Sequence, residues 1–351
     1  MKSISSLVQK HVLPVQKLAV LFALMLLQVP MVLHAQIGGR NSFEFLHVPV
    51  AARMGGLGGV NVSLADHDVN FFFSNPALNG DTLAQMASAN CQFFVGDISH
   101  TAVAYAHDMN DIGMMTFGVQ HMGYGAIESF DDTGASLGTI DASETAISVS
   151  KSHQVGSYRL GATVKGVFSN LAGYRSSAIA LDLGGVFIHP AKRFIAGIVL
   201  KNIGFVLSDY SATADTRLPF DVQAGVTFKP EHMPLRFSVT AFNLVTPDAT
   251  YDDPTDELDD ASAVKRVLNH VNFGAEVLFH RNVNALIGYN FLNHQTLKLA
   301  EGGGGGAGVT LGLVIRIKAF ELVVSRVGYV AGQATYAFTL TGNMQKLLKR
   351  V

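Results

Sequence analysis

A transmembrane β-barrel of about fourteen antiparallel strands, all-β and carrying an N-terminal plug, is the fold class this sequence predicts. Three observations predict it. Apolar and polar residues alternate with a period of two from about residue 84, and the connections between those runs alternate between long and short. A glycine-rich segment that reads as neither helix nor strand precedes them.

Taken in order, the 351-residue chain begins with Lys2, Lys10 and Lys17 ahead of an apolar run from Leu18 to Leu27. Ala35 then ends a cleavage-site pattern, so residues 1–35 read as a signal peptide and the mature chain is expected to begin near Gln36. After residue 33 no uninterrupted apolar run reaches the roughly 18 to 20 residues a membrane helix requires. Mean hydropathy is nonetheless +0.29 and only 15% of residues are charged. Cys91 is the single cysteine, which excludes an internal disulfide, and a net charge of −2 offers no basic face for nucleic acid.

Residues 36–83 are the predicted plug. Gly55, Gly56, Gly58 and Gly59 supply left-handed backbone freedom and let the chain approach a neighbouring surface closely. Pro76 fixes its own φ and moves Asn75 out of the helical region, so Asn75, Pro76 and Ala77 form a turn. A segment of this kind suits the inside of something else.

Residues 84–342 are the predicted wall. In 220–229, Phe220, Val222, Ala224, Val226 and Phe228 share one face, and Asp221, Gln223, Gly225 and Thr227 share the other. The runs 158–168, 271–280 and 309–318 repeat the pattern, with Thr163, Lys165, Asn272, Glu276 and Thr310 on the polar side. The connections at 124–141, 169–176, 205–217, 245–269 and 293–306 are read as long, and those at 153–157, 190–193, 230–233, 281–282 and 318–319 as short. Short periplasmic turns with longer external loops are the mark of outer-membrane barrels, and this order places both termini in the periplasm. A soluble sandwich with these strands would expose apolar patches far beyond the usual few hundred Å². Residues 343–351 form a basic periplasmic tail.

No catalytic constellation emerges: there is no Gly-x-Ser-x-Gly elbow and no phosphate-binding Gly-Lys-Ser/Thr loop. Gly303, Gly305 and Gly308 match a dinucleotide pattern only formally, because they lie between strands, and the thirteen His lack ligand spacing. No enzyme activity, cofactor or metal is therefore expected. The acidic loop 247–262, with Asp252, Asp253, Asp256, Glu257, Asp259 and Asp260, lacks the glycine and terminal glutamate of an EF-hand. It reads as a solvated external loop that can face a partner.

The run from Arg53 to Gly59, the acidic stretch with Asp66 and Asp68, and Asn75-Pro76-Ala77, followed by about fourteen strands, resemble the start of FadL-type outer-membrane barrels. In that superfamily the N-terminal segment is a hatch. The wording FLHVPVAARMGGLGG and FFFSNPALNG is similar to the PorV/PorQ family of type IX secretion. This resemblance implies a non-enzymatic membrane anchor in the outer membrane, among its lipid and lipopolysaccharide. Its implied partner is a PorZ-like surface protein of the cargo-processing attachment complex, together with PorU and PorV. The alternative is a FadL-like channel for hydrophobic small molecules; the missing Ser/His constellation disfavours a lipid-active hydrolase.

Overall fold

The computed structural model describes residues 41–109, 112–191, 193–246, 263–297, 306–328 and 334–348. The signal segment, residues 36–40, the six acidic residues from Asp252 to Asp260, Gly303, Gly305 and residues 349–351 lie outside them. Among the described residues the strands are β1 (Met86–Phe93), β2 (Ser99–Asp108), β3 (Met114–Phe130), β4 (Ser136–Val155), β5 (Tyr158–Leu171), β6 (Tyr174–Ile188) and β7 (Phe194–Ser208). They continue as β8 (Asp221–Phe228), β9 (Leu235–Ala241), β10 (Val271–His280), β11 (Val283–Asn290), β12 (Val309–Ile317), β13 (Phe320–Gly328) and β14 (Ala334–Asn343). Each pairs antiparallel with the next, and β14 closes on β1 from Met86↔Asn343 to Phe93↔Tyr336, so the barrel has no open sheet edge along its belt.

The wall reverses the usual order of polarity. On β5, Thr163 and Lys165 are buried at 1% and 3% exposure, while Leu160, Val164 and Phe168 are 66%, 54% and 52% exposed. Polar side chains inside and apolar ones outside are favourable only where the surroundings are hydrocarbon. The four alternating runs read from the sequence all show this sense. Among the described residues no helix is long and apolar enough to cross a membrane.

Two connections expected to be long loops are strands instead. Residues 124–141 extend the β3–β4 hairpin, leaving only 131–135 as its tip, and 169–176 collapses to a two-residue turn at Ala172 and Gly173. Ala172 and Gly173 have φ of +54° and +87°, the left-handed pair that a tight hairpin turn needs. That turn carries no Asn-Gly signature, so the sequence gives it little away. Connections 209–220, 242–270 and 291–308 are long, with short helices α2 (Ala263–Asn269) and α3 (Phe291–Thr296) inside the last two. The tail begins with a further helix, α4 (Met344–Leu348).

Residues 41–85 fill the lumen. They are a chain of short helical turns, Glu44–His47, α1 (Ala52–Gly56), Val69–Phe73, Pro76–Leu78 and Asp81–Leu83, which corrects the expectation of neither helix nor strand. Each turn is too short to be stable alone, so packing decides it. Phe45, Leu57, Leu64, Phe71, Phe72 and Leu78 are all at most 4% exposed. The segment starts at the long-loop rim, where the Ser42 amide donates to the Arg217 carbonyl at 2.8 Å, and ends at the short-turn rim beside β1 and β14. The barrel proper thus begins and ends at the short-turn rim, as expected, but Ser42 sits at the opposite one.

Candidate functional site

The plug's irregular backbone cannot satisfy its own polar groups, and the polar face of the wall does so instead. Asn272 on β10 donates to the Leu57 and Val60 carbonyls at 2.9 and 2.7 Å. Asn290 at the end of β11 donates to the Gly58 carbonyl at 3.0 Å, and the Thr310 hydroxyl on β12 to that of Gly56 at 3.0 Å. The Ala52 amide donates to the Thr339 hydroxyl on β14 at 2.9 Å. On the far side, the Asn75 amide donates to the Val62 carbonyl and to the Ile198 carbonyl on β7, while its Oδ1 accepts from the Ala77 amide. Contacts on opposite walls place the segment inside the barrel.

A buried ion quartet locks this arrangement. The Arg53 guanidinium pairs with Asp66 at 2.7 Å and with Glu276 on β10 at 2.8 Å. Arg236 on β9 pairs with the same two carboxylates, at 2.8 and 3.1 Å. Two cations and two anions cancel, which is what lets Arg53 sit at 1% exposure. Burial by itself would lower the Arg53 pKa, but Glu276 and Asp66 outweigh it and hold it well above its usual value. Burial would likewise raise Asp66, yet Arg53 and Arg236 keep it well below the carboxylate range.

The four plug glycines divide into two kinds. Gly58 and Gly59 have φ of +92° and +97°, whereas Gly55 and Gly56 lie in α1 and are needed for close approach. A Cβ on Gly56 would stand 2.9 Å from Leu286, and one on Gly55 3.2 Å from Ser325 Oγ. The wall answers with glycines of its own: a Cβ on Gly161 or Gly184 would run into Pro76 or Asn75. The structure buries Arg53, Gly55, Gly56, Gly58, Asn75, Pro76 and Ala77 between plug and wall, and leaves Gly59 half-buried. Sequence reasoning placed Glu276 on the polar face but gave it no partner, and it missed Arg236. An inward-facing charge on a strand of a filled barrel was the available signal, since it demands an opposite charge from the filling.

Asp68 makes the unit sensitive to pH. Its Oδ1 accepts from the backbone and side-chain nitrogens of Asn70 at 2.9 and 2.8 Å, and Asn70 is held in turn by Ser88 and Asn90 of β1. Its other oxygen is buried and without a hydrogen-bond partner among the described residues. Burial pushes its pKa up to about 6, against the pull of Arg53. A raised carboxyl pKa stabilises the folded state fully below about pH 4, and this stabilisation disappears as pH rises through about 6. Plug docking should weaken by ~3 kcal/mol across that window. Asp68→Asn keeps both Asn70 contacts and removes the charge, so its melting temperature should exceed that of the unaltered protein at pH 7.5 and match it at pH 4. Equal melting temperatures at pH 7.5 would contradict the assignment.

A second feature lies in the wall. Pairing between β7 and β8 stops at Lys201↔Asp221, while β7 runs on to Ser208 paired only with β6. Asn202, at φ +59°, marks the irregularity. Where β7 parts from β8 there is a cleft of about 450 Å³ lined by Ile203, Phe205, Leu218 and Phe220 on its apolar side and by Asn202, Thr216 and Arg217 on its polar side. Phe43 of the plug stacks near Tyr210 at 6.3 Å beside it. The cavity between the plug and Lys165, Lys201 and Gln223, by contrast, measures about 20 Å³, room for one water.

No family model matches the chain, and no curated protein does. Among solved structures it is similar to the CymD monoaromatic hydrocarbon channel, with a TM-score of 0.52, 13% identity and coverage of 84% of this chain and 98% of that one. It is also similar to a deltaS2 mutant of the TodX monoaromatic hydrocarbon channel, with a TM-score of 0.51, 10% identity and coverage of 84% and 97%. A Pseudomonas aeruginosa FadL homologue aligns over 84% of this chain and 98% of its own at 10% identity, and its TM-score of 0.48 adds nothing to the assignment. At such identities the likeness is one of fold alone: a closed, fourteen-stranded antiparallel barrel.

Proposed function

We propose that this chain is a non-enzymatic outer-membrane barrel that acts as a fixed anchor for a surface protein, in the manner of the PorV/PorQ barrels of type IX secretion that its plug wording resembles. The observation that carries the reading is the filled lumen: the plug is tied to both sides of the wall, and the cavity beside Lys165 and Lys201 admits a single water. A barrel locked in this way is built to stay closed and to present its rim. Lipopolysaccharide surrounds it, and a PorZ-like protein, with PorU and PorV, is the partner this reading names.

A second reading, a channel for hydrophobic small molecules, is the one the comparison of folds favours. The two solved structures that set the fold are described as monoaromatic hydrocarbon channels, and the cleft between β7 and β8, partly apolar, is of a size to hold a small ligand. Against passage along the barrel axis stands the ion quartet, which a hydrocarbon would have to displace.

Affinity purification from solubilised outer membrane, with conductance measured in planar bilayers, separates the two. The anchor reading expects a surface protein in stoichiometric amount and little conductance. Recovery of the barrel alone, with saturable uptake of an aromatic hydrocarbon lost on its deletion, would transfer the assignment to the channel.

A further inference from the structure

The most prominent feature at the long-loop rim is the β3–β4 hairpin. β2 releases β3 after Ser99↔Gly123, and β5 releases β4 after Ala142↔Leu171, yet β3 and β4 continue to pair with each other to Phe130↔Ser136. Seven residues of β3 beyond Gly123 amount to ~23 Å of strand. The tip is built rather than loose: the Asp131 amide donates to the Ala135 carbonyl and the Gly134 amide to the Asp131 carbonyl, both at 2.9 Å, with Gly134 at φ +82°. The Asp131 carboxylate accepts from the Thr133 hydroxyl and from the amides of Thr133 and Ala135, and the Thr133 hydrogen bond foremost holds its pKa below the usual range.

Three properties of this arm point outward. Ala126–Phe130 on β3 has a row of backbone groups with no second strand beside it; its register with β4 shifts at Gly123/Ala126 and again at Ser129/Phe130, which leaves Ala126–Ser129 as the regular stretch. Ile127, Phe130 and Leu137 are 42%, 55% and 68% exposed, past the point where the neighbouring strands end. Glu128, Asp131, Asp132 and Asp141 lie on the arm, and no Lys or Arg occurs between Gly123 and Ser150. Edges left open in natural proteins are commonly guarded by Lys or Pro, and this one carries neither.

We propose that the β3–β4 hairpin is the docking arm of the barrel, and that its occupant is an extended segment of a partner protein with net positive charge, added as a strand along Ala126–Phe130. The edge supplies backbone pairing, Ile127 and Phe130 supply apolar contact, and the carboxylates select the charge. Phosphate-bearing lipid headgroups are disfavoured as occupants because the arm's own charge repels them. This inference rests on the anchor reading and names the chemistry of its partner.

The test uses the full-length barrel in detergent and two synthetic decapeptides, one alternating Lys with Val and one alternating Glu with Val. The Lys peptide should bind at least tenfold more tightly and lose that advantage at high salt, and hydrogen exchange should show new protection at 126–130. Glu128→Lys with Asp132→Lys should abolish the preference while the heat-dependent gel shift of the folded barrel is retained. Replacing 126–139 by a short Asn-Gly turn should remove binding altogether. Equal affinity for both peptides, or binding that survives the shortened hairpin, overturns the proposal. If the shortened barrel still co-purifies with its surface protein from cells, the anchor stands and the docking arm is refuted.

Discussion

Arg53→Met should free the plug while leaving the barrel intact. The substitution keeps an apolar stem near Phe71, whose ring lies 5.9 Å from the Arg53 guanidinium carbon, but leaves Asp66 and Glu276 to share Arg236 alone. Stranding a buried charge in this way costs about 3 to 5 kcal/mol. That loss falls on plug docking, because the fourteen ladders of the wall do not pass through Arg53. The expected result is a segment around 45–80 that becomes open to protease, together with measurable conductance, at unchanged barrel gel mobility. Adding Glu276→Met should restore much of the protection, since Asp66 and Arg236 then remain as a neutral pair. A plug as resistant in Arg53→Met as in the unaltered protein would mean that packing alone holds it.

The second large effect separates two neighbouring glycines. At Gly58 a side chain meets both a left-handed backbone and the amide of Asn272, which donates to Leu57 and Val60. Gly58→Val should therefore incur the conformational penalty of roughly 1 to 2 kcal/mol and also about 1 to 3 kcal/mol for buried carbonyls left unpaired. At Gly59 the nearest atom to an added Cβ is Pro49 Cγ at 3.9 Å, so Gly59→Ala should show the conformational penalty alone. Thermal unfolding followed by the gel shift and by plug proteolysis measures both. Equal losses at the two positions would show that backbone conformation, not the fit against Asn272, is what the wall demands.

Much of this was legible in the residues. The period of two on β5, β8, β10 and β12 required only that Leu160, Val226, Phe273 and Leu311 face lipid and that Thr163, Thr227, Asn272 and Thr310 face inward, and this is where they lie. Arg53, Gly55, Gly56, Gly58 and Asn75-Pro76-Ala77 are residue types with a narrow conformational or electrostatic reason to be buried, and they are buried here. What stayed hidden depends on distance in sequence. Arg53 and Glu276 stand 223 residues apart, and no local pattern says which inward charge a plug residue will meet. The hairpin extension was missed for a related reason: residues 124–141 are exposed on both faces, so they lack the alternation that a half-buried strand imposes.

By itself, then, the sequence determined a barrel, its number of strands, the sense in which its faces point and the presence of a plug, because alternation and glycine placement are local consequences of lipid outside and close packing inside. Tertiary structure alone decided that the plug crosses the lumen from the long-loop rim to the short-turn rim, that Arg236 and Glu276 close a neutral quartet with Arg53 and Asp66, and that β7 parts from β8. Each of these is a matter of which distant surfaces meet when the ladder closes, and the closure of β14 on β1 fixes them all at once.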